Sequence, residues 1–239
     1  MEKKEMVQNS DEIKNIVNGI VISAGKTVDE FKKNLTAESF LFEGKFNNLG
    51  FKWDGSGTQY DLGEQIQQGM TMLVTCYAIK WFSENGYDYP FTVNPAGKCG
   101  QDISGNGKEG PNGKEPMTCE IFAAKKSTNN QKLWHDLNAV AIKGGLSKEL
   151  KTFVFCCSAD EIQIKEGRHS STKSQFDFTV DEVIKVDNPN CHIFQVKISD
   201  QSAKGKKEKK YENQLITVIH VTPCVLHQWV RKNIAPSDL

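Results

Sequence analysis

Between Leu62 and Phe82, apolar side chains recur at positions 62, 66, 70, 73, 77 and 81, widened by Val74, Ala78 and Phe82. Glu64, Gln67, Gln68 and Thr71 take the other side. This helical period predicts one long helix with nearly half its circumference buried, stopped by Asn85-Gly86. Beyond it the period shortens to two. Strands are predicted over 87–93, broken by Asn94-Pro95-Ala96-Gly97, then over 98–104 and 117–124. The glycine-rich stretch 105–114 between the last two reads as a long hairpin tip. A second helix is expected from Asn129 or Asn130, with Leu133, Leu137, Val140 and Ala141 as its inner stripe, Trp134 beside it and Gly144-Gly145 as its stop. Lys151–Cys157 is a short, nearly continuous apolar run, the mark of a strand buried on both faces.

The flanks carry weaker patterns. Ser10-Asp11 caps a short predicted helix with Ile13, Ile16, Val17 and Ile20, and Thr27-Val28-Asp29-Glu30 reads as a capping box before Val28, Phe31 and Leu35. Residues 39–60 are rich in aromatics and glycine and read as short strands and turns. Towards the C-terminus, strands are expected over 161–165, 175–180, 192–198 and 215–221. A short helix through Val225, Trp229 and Val230 closes the chain after Pro223. The expected fold is mixed α/β, a central mixed sheet flanked by helices. It divides into an N-terminal part (1–61), an α/β core (62–157) and a β-rich extension (158–239), together one compact domain.

Composition narrows the classes. Of 239 residues, 38% are hydrophobic and 25% charged, which fits a globular rather than a disordered chain. Thirty basic residues balance thirty acidic ones, so the chain as a whole is not a polybasic binder. Charge is concentrated locally at Lys204, Lys206, Lys207, Lys209 and Lys210. That run is either a solvated hairpin loop or a phosphate-contacting loop whose binding would fall steeply with salt. Without interleaved aromatics it implies charge attraction without base reading. Seven scattered cysteines, with no Cys-x-x-Cys, point to a reducing compartment. No apolar run reaches the length of a membrane span, and the polar N-terminus lacks the apolar core of a cleaved leader. An intracellular protein, cytoplasmic or nuclear, is expected, with no membrane partner.

The order helix, three strands, helix, strand over residues 62–157 carries Asp102 on the second strand, in Gly100-Gln101-Asp102-Ile103, and Glu120 on the third, in Cys119-Glu120-Ile121-Phe122. In this the segment resembles the core of the PD-(D/E)xK nuclease superfamily, the restriction-endonuclease-like fold. The resemblance covers about 95 of the 239 residues and rests on element order more than on motif letters. It implies that Asp102 and Glu120 hold a divalent metal, Mg2+ or Mn2+, with Glu64 on the first helix as an accessory acid. Carboxylates would hold the ion, the ion would polarise phosphate and activate water, and a lysine would neutralise developing charge.

The lysine position is where the chain departs from the pattern. Two residues after Glu120 stands Phe122. Lys125 points to the opposite face of the strand, and Lys126 has the right parity but lies about 20 Å further along. Lys132 on the following helix is the best-placed substitute, with Gln131 and His135 near it. Two functions stay open: a metal-dependent endonuclease acting on nucleic-acid phosphodiesters, with a homodimer one arrangement, and a catalytically inactive α/β binding or protein-interaction module that has lost its lysine. Asp102-Ile103-Ser104-Gly105-Asn106-Gly107 also opens like a calcium loop, but Gly113 stands where the bidentate glutamate belongs.

Overall fold

The computed structural model describes residues 51–53, 60–62, 64–87, 91–96, 100–110, 113–123, 130–147, 149–158, 162–171, 176–201, 209–222, 225–226 and 228–229. The helices and turns expected before residue 51 lie outside these; of the closing helix, residues 225–226 and 228–229 are described and are helical. A short antiparallel pair comes first, β1 (Phe51–Trp53) with β2 (Tyr60–Leu62). The long helix α1 spans Glu64–Glu84. It ends at Gly86, whose φ of 82° lets the Tyr87 N–H donate back to the Phe82 carbonyl at 2.9 Å.

Eight strands then form one mixed sheet in the order β3-β4-β5-β6-β10-β9-β8-β7. They are β3 (Phe91–Ala96), β4 (Gly100–Gly110), β5 (Gly113–Ala123), β6 (Lys151–Cys157), β7 (Gly167–Ser171), β8 (Phe176–Val186), β9 (His192–Asp200) and β10 (Gln214–Val221). Helix α2 (Asn130–Gly145) connects β5 to β6. β3, β4 and β5 pair antiparallel, β5, β6 and β10 run parallel, and β10, β9, β8 and β7 are antiparallel again. The C-terminal strands therefore extend the same sheet.

Several boundaries differ from those read in the sequence. β3 starts later than expected and continues through Pro95, which an edge strand tolerates because it needs no inner ladder donor there. The glycine-rich stretch is mostly strand: β4 and β5 stay paired out to Gly110↔Gly113, with a register shift between Gly105 and Lys108. Of the strand expected over 161–165, residues 162–165 are described and form none; Ile162 and Ile164 pack onto the core from an irregular stretch. β7 was not foreseen.

Period two divides the central strands between two layers. Phe153 and Phe155 of β6 meet Trp81 and Phe82 of α1 edge to face, at ring separations of 5.0–5.9 Å. On the other face, Val154 and Cys156 join Phe122, Val218 and Phe194 beneath Leu133, Leu137, Val140 and Ala141 of α2. β6 itself is buried from Thr152 onward, as its apolar run implies. Five cysteines (76, 119, 156, 157 and 191) are free and buried. Among the described residues no helix is long and apolar enough to cross a membrane.

Candidate active site under the second helix

Asp102 and Glu120 are direct cross-strand partners on β4 and β5. Opposed residues of an antiparallel pair share a face, so both carboxylates point to the α2 side, the side that also receives Phe122. Lys143, in the last turn of α2, closes the group. Its ammonium donates to both oxygens of Asp102, at 2.9 and 2.8 Å, and to Oε1 of Glu120 at 2.6 Å. One cation thus spans two acids from two strands.

Two glycines let the helix end come this close. A Cβ on Gly144 would stand 2.6 Å from Thr152 Cγ2, and one on Gly145 would stand 2.8 Å from Tyr211 Cβ. A larger residue at either position would force the last turn or the side chains it meets to shift. Tyr211 also donates from its hydroxyl to Asn138 Oδ1 at 2.6 Å, tying the turn before β10 to the middle of α2.

Exposure grades across the group. The side chains of Lys143 and Asp102 keep 36% and 29% of their exposure, that of Glu120 only 9%. Burial is the main reason that Glu120 holds its proton up to about pH 7; the charges of Asp102 and Asp136 add to the effect and Lys143 opposes it. Burial pulls Lys143 the other way, but its hydrogen bonds to Asp102 and Glu120 outweigh that and raise its pKa. At neutral pH the site therefore holds a secure ammonium and, beside the half-buried Asp102 side chain, one buried carboxyl near its midpoint.

The remaining candidates are distributed as follows. Lys132 is committed elsewhere: it donates to Asp136 Oδ1 at 2.5 Å and lies over the Phe122 ring, 5.6 Å from its centroid. The structure thus brings Lys143, and not Lys132, to the acid pair. His135 shares the same Asp136 oxygen at 3.3 Å, while the fully buried Oδ2 of Asp136 has no hydrogen-bond partner among the described residues. Glu64 is the first residue of α1, and its side chain is outside the description. Lys125, Lys126, Lys204, Lys206 and Lys207 lie outside the described residues. Lys209 pairs with Glu212 at 2.9 Å, and the Lys210 backbone N–H donates to Asp200 Oδ2 at 3.0 Å.

No family model, no curated protein and no solved structure matches this chain. Among the described residues no group of three or more His, Cys, Asp and Glu stands together as a metal cage. Two carboxylates are nevertheless a sufficient protein contribution for Mg2+, which keeps several waters and takes further oxygens from a substrate phosphate. The donor set is all oxygen and suits a hard cation better than a soft one.

Sequence reasoning reached the two acids and missed the lysine that joins them. Lys143 lies on the same helical stripe as Lys132, Asp136 and Val140, at spacings of eleven, seven and three. Its position on an otherwise inward stripe, directly before the Gly144-Gly145 stop, was the available signal.

Proposed function

We propose that this protein is a metal-dependent phosphodiesterase of the PD-(D/E)xK type acting on nucleic acid, in which Lys143 does from α2 what the family's strand lysine does beside its second acid. The observation that carries this reading is the single ammonium shared by Asp102 and Glu120. The connectivity supports it: α1, an antiparallel β3-β4-β5 sheet, then α2 leading to β6 parallel to β5 is the element order of the restriction-endonuclease-like core. Phe122, which occupies the usual lysine position, is instead part of the apolar layer beneath α2.

Asp102 and Glu120 would hold Mg2+ or Mn2+, which supplies Lewis acidity towards a phosphate oxygen and a more acidic bound water. Glu120 must release its proton to serve as a ligand. The lysine keeps its charge in the burial it experiences, so it can donate to a phosphate oxygen on which negative charge grows. The lysine run 204–210 is the proposed backbone contact.

The test is cleavage of supercoiled plasmid, single-stranded DNA and RNA with Mg2+ or Mn2+. Asp102→Ala and Glu120→Ala should each abolish it, and chelation should abolish it in the wild type. Cleavage that survives chelation, or that persists in both variants, would exclude this site. A folded wild type that cleaves none of the three substrates would favour the second reading, a binding module whose Asp102–Lys143–Glu120 group is a structural ion pair.

A further inference from the structure

A second set of reactive side chains lies apart from these acids. Ser158 follows the last residue of β6, His220 is next to last in β10, and His192 opens β9 as the cross-strand partner of His220. Ser158 Oγ is 2.8 Å from His220 Nε2, and His220 Nδ1 is 3.1 Å from His192 Nδ1. The two rings are 13° from parallel with centroids 5.4 Å apart. With the Nδ1 atoms so close, that separation places the rings edge to edge, nitrogen facing nitrogen, and not one above the other.

We propose that Ser158, His220 and His192 form a second reactive centre, with Ser158 as nucleophile towards a small, uncharged carboxylic ester. Head-on nitrogens need one donor and one acceptor. When Ser158 donates to His220 Nε2, the Nδ1–H of His220 donates to His192, and the chain of three is ordered in one direction. His220 is fully buried, where an imidazolium is costly; His192 is half-buried. Passing a proton along the pair moves the positive charge to the ring that water reaches. The second imidazole thereby orients the first and carries the charge, the work a carboxylate does in a Ser-His-Asp set.

Ser158 and His220 stand at the C-terminal ends of parallel strands, where open α/β sheets present ligands. Val154, Cys156 and Phe194 on the same face make the surroundings apolar, which suits a neutral acyl group and not a phosphate. Ser158 keeps 2% of its exposure, so the acyl group must be small. In the reaction Oγ adds to the carbonyl carbon, its proton goes to His220 Nε2, and the Nδ1 proton of His220 moves to His192. Collapse breaks the bond to the alcohol oxygen, which takes the proton from His220 Nε2 as His192 returns its extra proton to His220 Nδ1, leaving both imidazoles neutral. Water then repeats the sequence and releases the carboxylic acid.

A fluorophosphonate probe tests this on the full chain, since its phosphorus bonds to Oγ as fluoride leaves. Intact mass and peptide mapping should find one adduct, on Ser158, and Ser158→Ala should have none. His192→Gln, checked for folding by circular dichroism, should be labelled about a hundredfold more slowly, with p-nitrophenyl acetate hydrolysis slowed in parallel. No adduct on folded wild type, an adduct on another residue, or unchanged labelling of His192→Gln would overturn the proposal. None of these results bears on Asp102, Glu120 or Lys143.

Discussion

The two faces of β5 and β6 are made by the same strands and do opposite things. Towards α1 they present Cys119, Ile121, Phe153 and Phe155, which meet a wall of aromatic rings and exclude water. Towards α2, one residue out of step, they present Thr118, Glu120, Thr152 and Val154, and the layer there mixes apolar packing with charge. One face is bound by non-directional burial, which tolerates no polar group without a partner. The other holds an acid at the edge of the apolar cluster, where Lys143 and Asp102 keep it in contact with solvent-accessible charge. Aromatic packing and the charged group are thus separated by a shift of one position along the strand.

The largest effect should come from breaking the aromatic face. Phe82 is fully buried against Phe153, Phe155 and Tyr87. Phe82→Ala should cost about 3–5 kcal/mol in urea unfolding. Lys143→Met acts on the opposite face. It leaves two acids without their cation, and because Lys143 is about a third exposed the loss should be smaller, about 2 kcal/mol at pH 8. It should shrink at pH 5, where a protonated Glu120 no longer repels Asp102; unfolding at the two pH values checks this.

Glu120→Gln should sharpen the comparison with a sign. Folding raises this carboxyl's proton affinity, so between the ordinary glutamate range and about pH 7 the native chain binds more protons than the unfolded one. Its contribution to stability is full at low pH and is lost as pH rises through about 7. The glutamine variant lacks that loss, so relative to wild type it should gain on the order of 1 kcal/mol between pH 5 and pH 8, read from paired denaturation curves. The smallest effect is expected at Thr71 of α1, whose hydroxyl accepts the Ala123 N–H at 3.1 Å. Thr71→Val should cost about 1 kcal/mol by thermal melting and leave the charged group unchanged.

How much of this was legible in the sequence follows from the same division. The long stripe of α1 and the apolar run of β6 announce themselves because burial on a large face repeats at a fixed period. The two acids were placed because they sit on strands of one hairpin, although their register, Asp102 against Glu120, needed the pairing to extend through glycines that read as a loop. Lys143 was out of reach because it meets Glu120 across 23 residues, and Lys132 offered an equally good helical position nearer in sequence. What separates the two is Asp136, a buried acid on their own helix that takes Lys132 for itself. β7 is polar, with the sequence Gly-Arg-His-Ser-Ser, and is held at the sheet edge by pairing to β8 and by the Arg168–Asp177 ion pair, so no alternation marks it.

The most direct measurement is single-turnover cleavage by Lys143→Met beside wild type, at saturating Mg2+ and matched folded fraction. If the helix lysine serves the acid pair, the variant should lose roughly 10²–10³-fold in rate while Lys132→Met stays within a few fold of wild type. Equal rates for Lys143→Met and wild type would contradict that role and leave the shared ammonium as an ion pair that only holds α2 to the sheet.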